Sequence, residues 1–270
     1  MIIGYQGIPG SYSEEALITN LQGHEHKACP TFTDLIKACE DETVEAVLLP
    51  IENTIGGSIK RAYALMVDAL LYINGEINHP IHHCLLAHPR TRREKLKHVM
   101  SHPEALLQCR HYIEKNGWSS KEFRDTAESA KIVAQKKMIT TAAIASQRCS
   151  VLYDLQIVER NIEDVLTNTT RFFLLERKPG VREAHKITIT FRLSHKPGSL
   201  CAILQTIAEA GYNLTKIESC PIPEEPYHYE FVADIEVLNK KWNELLEKLQ
   251  EKIGKVRLMG AYPVIKLGEF

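Results

Sequence analysis

Short apolar runs that stop at glycine, proline or small polar residues, each followed by a stretch of helical period, restrict the first two thirds of this chain to a wound α/β plan. Ile2 to Gln6 is the first such run, and it ends at Gly7-Ile8-Pro9-Gly10. Ser11 stands three residues before Glu14, a capping-box spacing that predicts a helix through about Leu21. Val44 to Leu49 reads as a second strand closed by Pro50. Ile59, Ala62, Tyr63 and Met66, spaced by three and four, then read as a helix. Ile81 to Ala87 is another apolar run, Val99-Met100 a short strand, and Pro103 opens a helix reaching roughly to Lys115. Thr126 occupies an N-cap position before Ala127, Ala130, Val133 and Ala134. Thr141 to Ala145 and Arg171 to Leu175 read as buried strands. Two α/β lobes with a cleft between them are the expected architecture.

Lys178-Pro179-Gly180 is a turn-forming link to a different pattern. Beyond it come strand (Lys186 to Leu193), helix (from Pro197), strand (Leu214 to Ser219), strand (Tyr227 to Val237), helix (Trp242 to Ile253) and strand (Val256 to Ile265). This βαββαβ order is the ferredoxin-like plan, beginning at about residue 184.

Charge narrows the partners. Lys+Arg number 33 against 34 Asp+Glu in 270 residues, so no basic surface calls for nucleic acid or an anionic membrane. Met1-Ile2-Ile3-Gly4 enters a strand directly, without the basic and apolar regions of a secretory signal. The seven cysteines are scattered and lack a CxxC pair, so reduced thiols and a cytoplasmic location are expected. His79, His82, His83 and His88 lie in a segment that reads as a strand, which would set His82 and His83 on opposite faces rather than around one metal. No metal site is expected, and these histidines read as solvent-facing or hydrogen-bonded. His102, nearer the expected cleft, reads as a loop residue.

Four loops place small polar groups just after strands, where open α/β sheets bind ligands, and a fifth lies late in the catalytic half. They run over residues 7–14, 50–58, 101–105, 125–127 and 168–172. Singly, each has an ordinary reading as a turn or helix cap. Together, helix starts at Ser11, Ser58, Pro103 and Thr126 offer unpaired N–H groups to an anion, and Gly56-Gly57 permits close backbone approach. No loop ends in Gly-Lys-Ser/Thr, so a small carboxylate fits better than a nucleotide.

The segments GIPGSYSEEA, PIENTIGGS, SHPEALLQC, DTAESA, AAIAS and NTTRFFLLE resemble, in order, those of the prephenate dehydratase family. SHKPGSL and KIESCP similarly resemble the ACT domain appended to many members. The resemblance implies a two-lobed, periplasmic-binding-protein-like α/β catalytic region over residues 1–178. Lobe one spans about 1–76 and 164–178, lobe two about 77–163, and a ferredoxin-like ACT domain covers 184–267. Because the chain starts at the dehydratase strand, the chorismate mutase domain fused in some relatives is expected to be missing.

The implied substrate is prephenate, and aromatisation drives loss of water and carbon dioxide without any cofactor. Thr170 is the residue most closely tied to catalysis by this carry-over, with Arg171, Asn53, Ser58 and Thr126 in the catalytic set and Glu52, Phe172 and Ser101 as substrate contacts. Thr170 is better viewed as an oriented hydrogen-bond donor to the departing hydroxyl, directly or through water, than as a free acid. Strand alternation sets Thr170 and Arg171 on opposite faces, so Arg171 divides between gripping a carboxylate and a structural ion pair. Glu52, which would repel a dianion, either orders Asn53 or stays protonated.

In the ACT half, Gly198, Ser199, Leu200, Asn213, Glu218 and Ser219 are the implied effector contacts, L-phenylalanine the implied effector, and a homodimer or homotetramer the implied assembly. Cys220 replaces the arginine common in the family's Glu-Ser-Arg-Pro motif and lacks its charge and fork, which bears on effector response. Two other readings remain at this stage: an arogenate dehydratase, and a noncatalytic two-lobed sensor of small carboxylates.

Overall fold

Three sheets organise the molecule, and the chain visits the first of them three times. The computed structural model describes residues 1–180, 183–194, 196–222, 224–238 and 241–265. The first pass supplies β1 (Ile2–Gln6), α1 (Tyr12–Asn20), β2 (Glu25–Cys29), α2 (Phe32–Glu40), β3 (Ala46–Asn53), β4 (Gly57–Ser58), α3 (Lys60–Asp68) and β5 (Tyr72–Pro80). Lobe two follows with β6 (Cys84–Ala87), β7 (His98–Ser101), α4 (Pro103–Gln108), α5 (Arg110–Lys115), β8 (Ser119–Glu122), α6 (Thr126–Gln135), β9 (Thr141–Ala145), α7 (Arg148–Leu152) and β10 (Gln156–Glu159). Its sheet has the order β10-β6-β9-β7-β8.

β11 (Thr169–Glu176) then returns to the first sheet and inserts antiparallel between β3 and β5. The crossing out of lobe one lies at residues 81–83, later than about residue 76, because β5 keeps pairing with β11 as far as Pro80. Pro50 lies inside β3 instead of closing it. The ladder shifts register between Arg171 and Phe172 at that point, a bulge that accommodates a residue with no N–H. The predicted helix from Pro103 breaks at Cys109 into α4 and α5.

The third sheet comprises β12 (Lys186–Arg192), β13 (Asn213–Pro221), β14 (Tyr229–Glu236) and β15 (Val256–Tyr262) in the order β13-β14-β12-β15, with α8 (Ser199–Glu209) and α9 (Asn243–Ile253) on one face. Its other face packs on lobe one, where Cys220, Val232, Met259 and Tyr262 join Tyr63, Ile73 and Phe173 in one core. Gly260 makes this close contact possible, since a Cβ there would collide with the carbonyl of Ile73. The expected last strand is two strands. Pro263 interrupts it, and β16 (Val264–Ile265) leaves the ACT-type sheet to pair parallel with β5. Of the range 184–267, residues 195, 223, 239–240 and 266–267 lie outside the described residues.

Candidate active site

Asn53 is the pivot of the cleft. It ends β3, and its Oδ1 accepts the backbone N–H groups of Ile55 (3.0 Å) and Gly56 (2.9 Å), an Asx turn that carries the chain into β4. Gly57 completes that turn at φ 76°, a left-handed conformation that favours glycine. Because backbone amides only donate, Oδ1 is fixed as the acceptor end of the side chain. Nδ2 therefore donates to Asn168 Oδ1 (2.7 Å), to the Thr169 carbonyl (3.2 Å) and to Thr170 Oγ1 (3.0 Å).

A cavity of about 460 Å³ opens beside this pivot. Asn53, Ser58, Thr126, Thr170 and Phe172 line it, together with Tyr12, His83 and Gln108. Thr170 and Phe172 point into it from the same face of β11, as period-two alternation requires. Thr126 is the first residue of α6 rather than its cap: the carboxylate of Asp125 accepts from Glu128 N at 2.9 Å and caps the helix, while Thr126 faces the cavity. The first turns of α1 and α6 border the cavity through Tyr12, Ser13 and Thr126, bringing positive helix ends to it. Among the described residues that line it there is no lysine or arginine.

Arg171, Glu52 and Ser101 are placed elsewhere. Arg171 faces the third sheet, its guanidinium 2.6 Å from Glu76 Oε2, 2.7 Å from Asp234 Oδ2 and 3.6 Å from Glu52 Oε2. It takes the structural ion-pair role. Burial pushes the Glu76 carboxyl up, but Arg171 and Lys186 outweigh burial and hold it below the usual range; burial raises Asp234 against the pull of Arg171. Glu52 pairs with Lys216 Nζ at 2.7 Å, so its charge is answered by the third sheet. Ser101 is fully buried and donates to the Ile144 carbonyl at 2.6 Å.

Tyr12 and Gln108 are not singled out in the sequence, and His83, read there as a solvent-facing or hydrogen-bonded histidine, is buried and hydrogen-bonded in the cavity wall. Tyr12 and Gln108 sit inside the quoted segments GSYSEEA and SHPEALLQC, which was the available signal. His83 lies in the link between β5 and β6, so the strand period does not govern it. His82 binds Glu163 at 2.7 Å and His102 caps α4 through its ring. No group of three or more metal-binding side chains occurs among the described residues.

Ser58 joins the cavity to the third sheet. Its hydroxyl donates to Glu218 Oε2 (2.5 Å) and accepts from Lys216 Nζ (2.7 Å), both on β13. A second cavity, of about 420 Å³, lies at the start of α8 and is lined by Ser199, Leu200, Pro197, Tyr229 and Phe231 among others. Gly198, at φ 84°, forms the turn into α8. Asn213, Glu218 and Ser219 do not line this cavity; Asn213 starts β13, and Glu218 faces Ser58. Cys220 is buried in the core shared with lobe one, away from the second cavity.

The family model for prephenate dehydratase matches residues 3–180, and that for the ACT domain matches residues 187–240. The chain belongs to the prephenate dehydratase family. The family's curated members include the prephenate dehydratase of Methanocaldococcus jannaschii, 37% identical over 94% of this chain and 95% of that one. Arogenate dehydratase/prephenate dehydratase 2 of Arabidopsis thaliana, a chloroplastic protein, is also 37% identical, over 97% of this chain and 72% of its own length. Among solved structures, GqqA, described as a quorum-quenching acylase, superposes with a TM-score of 0.91 at 31% identity, covering 98% of each chain. The prephenate dehydratase of Arthrobacter aurescens in complex with L-Phe shares the fold at a TM-score of 0.87 and 24% identity, covering 100% of this chain and 92% of that one. Among the described residues, no helix is long and apolar enough to cross a membrane.

Proposed function

We propose that this chain converts prephenate to phenylpyruvate, with water and carbon dioxide leaving together, in the cavity beside Asn53. One observation carries the reading: Thr170 Oγ1 accepts from Asn53 Nδ2, so its own proton is left to point into the cavity. In the reaction the ring C–O bond breaks, the hydroxide takes up a proton as water, and the electrons of the C–carboxylate bond enter the ring. Thr170 O–H meets the charge developing on the departing oxygen, and water returns the proton. Stabilisation offered only in the transition state raises kcat, whereas a cation gripping the ring carboxylate would hold back the group that must leave. The described lining residues, which include no lysine or arginine, suit that requirement. The hydroxyl of Thr126 and the first-turn amides of α1 and α6 are suited to the side-chain carboxylate, whereas Ser58, its proton given to Glu218, shapes the wall.

L-phenylalanine is the proposed effector, binding near Gly198, Ser199 and Leu200. The Ser58–Glu218–Lys216 contact supplies a route by which the third sheet affects the cavity wall. β13 is an edge strand of its sheet and suits pairing with a second copy, giving a homodimer or a homotetramer.

Side-by-side kinetics with prephenate and arogenate, each with and without millimolar L-phenylalanine, test this function. Prephenate should yield phenylpyruvate and the effector should lower the rate. A preference for arogenate would assign the neighbouring activity, and stoichiometric binding without turnover would assign a sensor.

A further inference from the structure

The hydrogen bonds that orient Asn53 extend well beyond Thr170. Asn168 Oδ1 accepts from Asn53, so the other end of that buried amide, Nδ2, donates to Gln108 Oε1 at 2.8 Å. The same Gln108 oxygen lies 2.8 Å from His83 Nε2. An amide oxygen only accepts, so the His83 Nε2 must carry a hydrogen. On the far side of the ring, Nδ1 is 2.6 Å from the hydroxyl of Tyr12, whose ring stands edge-on to the imidazole. The direction of each bond as far as His83 Nε2 follows from two backbone amides, those of Ile55 and Gly56, while the Tyr12 hydroxyl lies 3.3 Å from the His82 carbonyl as well as near Nδ1.

We infer that His83 is a positioning residue of the active site, held as the Nε2–H tautomer, which aims Gln108 and Tyr12 into the cavity. The inference rests on the dehydratase reading of that cavity. Tyr12, His83 and Gln108 all line it, and they come from α1, from the link between the lobes and from α4. The series thus crosses the cleft from β3 and β11 to lobe two and back to lobe one. Burial lowers the His83 pKa, the first among the influences on it, and keeps Nδ1 bare to accept from Tyr12. Burial likewise raises the Tyr12 phenol, which stays protonated and donates. The backbone N–H of His83 donates to Glu163 Oε2 at 2.9 Å, fixing the ring's base independently of Gln108.

Three substitutions separate the atoms. His83→Gln returns a donor to the place of Nε2, His83→Asn offers an amide only at the place of Nδ1, and His83→Phe offers neither. Turnover should fall in the order wild type, Gln, Asn, Phe. The Phe variant should lose on the order of tenfold or more in kcat, with KM changed less, the scale of one buried hydrogen bond made useful in the transition state. Nitrogen-15 histidine spectra of the wild-type protein, assigned by the signal lost in His83→Gln, should show Nδ1 unprotonated and Nε2 protonated at neutral pH. An Nδ1–H tautomer, a charged ring, or a folded His83→Phe enzyme with wild-type kcat would overturn the inference. Wild-type protein inactive on prephenate would instead overturn the dehydratase reading, and the spectra would still report the tautomer.

Discussion

The amide of Asn53 donates to the hydroxyl of Thr170 at 3.0 Å, and that single bond sets the direction in which Thr170 can give its own proton. Asn53→Asp tests the arrangement with almost no change of shape. A carboxylate still accepts from Ile55 N and Gly56 N, but it confronts Asn168 Oδ1, the Thr169 carbonyl and Thr170 Oγ1 with a second acceptor. Turnover should fall by on the order of a hundredfold, and stability by about 1–3 kcal/mol, since buried acceptors lose their donor. Steady-state kinetics and urea unfolding read the two effects.

Arg171 sits between Glu76 and Asp234, which are 1% and 0% exposed, and removing it leaves both carboxylates without their guanidinium. Arg171→Leu should destabilise the protein by about 3–5 kcal/mol, the usual cost of breaking a buried pair from one side. The loss is expected first where lobe one meets the third sheet, visible as faster amide exchange in β5 and β14.

Acid should act on the same contact. Arg171 and Lys186 depress Glu76 against burial, and Arg148, across the lobes at 2.6 Å, depresses Glu14 in the same way. A depressed carboxyl contributes stability that is present above its unfolded pKa, about 4.3, and is lost as pH falls through the lower folded value. Unfolding free energy should therefore decline below about pH 4.3. Replacing Glu14 by Gln should flatten that decline, which a urea series at several acid pH values would reveal.

Ser58 takes hydrogen bonds from one domain into the cavity of another, so Glu218 is placed to influence substrate without touching it. Glu218→Ala should change KM for prephenate and weaken the response to L-phenylalanine. Inhibition curves for the variant and the wild type provide the comparison.

Much of the architecture is legible in the chain because apolar runs and helix caps announce it. β1, β9 and both helices of the third sheet fall where periodicity puts them. β2 and β8 do not: Glu25–Cys29 and Ser119–Glu122 are edge strands with almost wholly exposed side chains, so no apolar alternation marks them. β5 hides for the opposite reason. Its buried Asn74 and Glu76 are satisfied by Lys178, Gly180, Arg171 and Lys186, about a hundred residues away, and such partners leave no local pattern. The cavity residues split along the same line. Thr170 and Asn53 stand in a motif, whereas His83 acquires its place through Gln108, Tyr12 and Glu163, all distant in the chain.

Thr170 carries the central chemical claim, and one experiment reaches it most directly: prephenate affinity and turnover measured together for Thr170→Val and Thr170→Ser. The valine variant should bind prephenate within a few fold of wild type and lose about 3–4 kcal/mol of transition-state stabilisation, while serine, which keeps the hydroxyl, retains far more. Valine and serine variants that turn over alike, at wild-type rate or equally impaired, would contradict the role given to that proton.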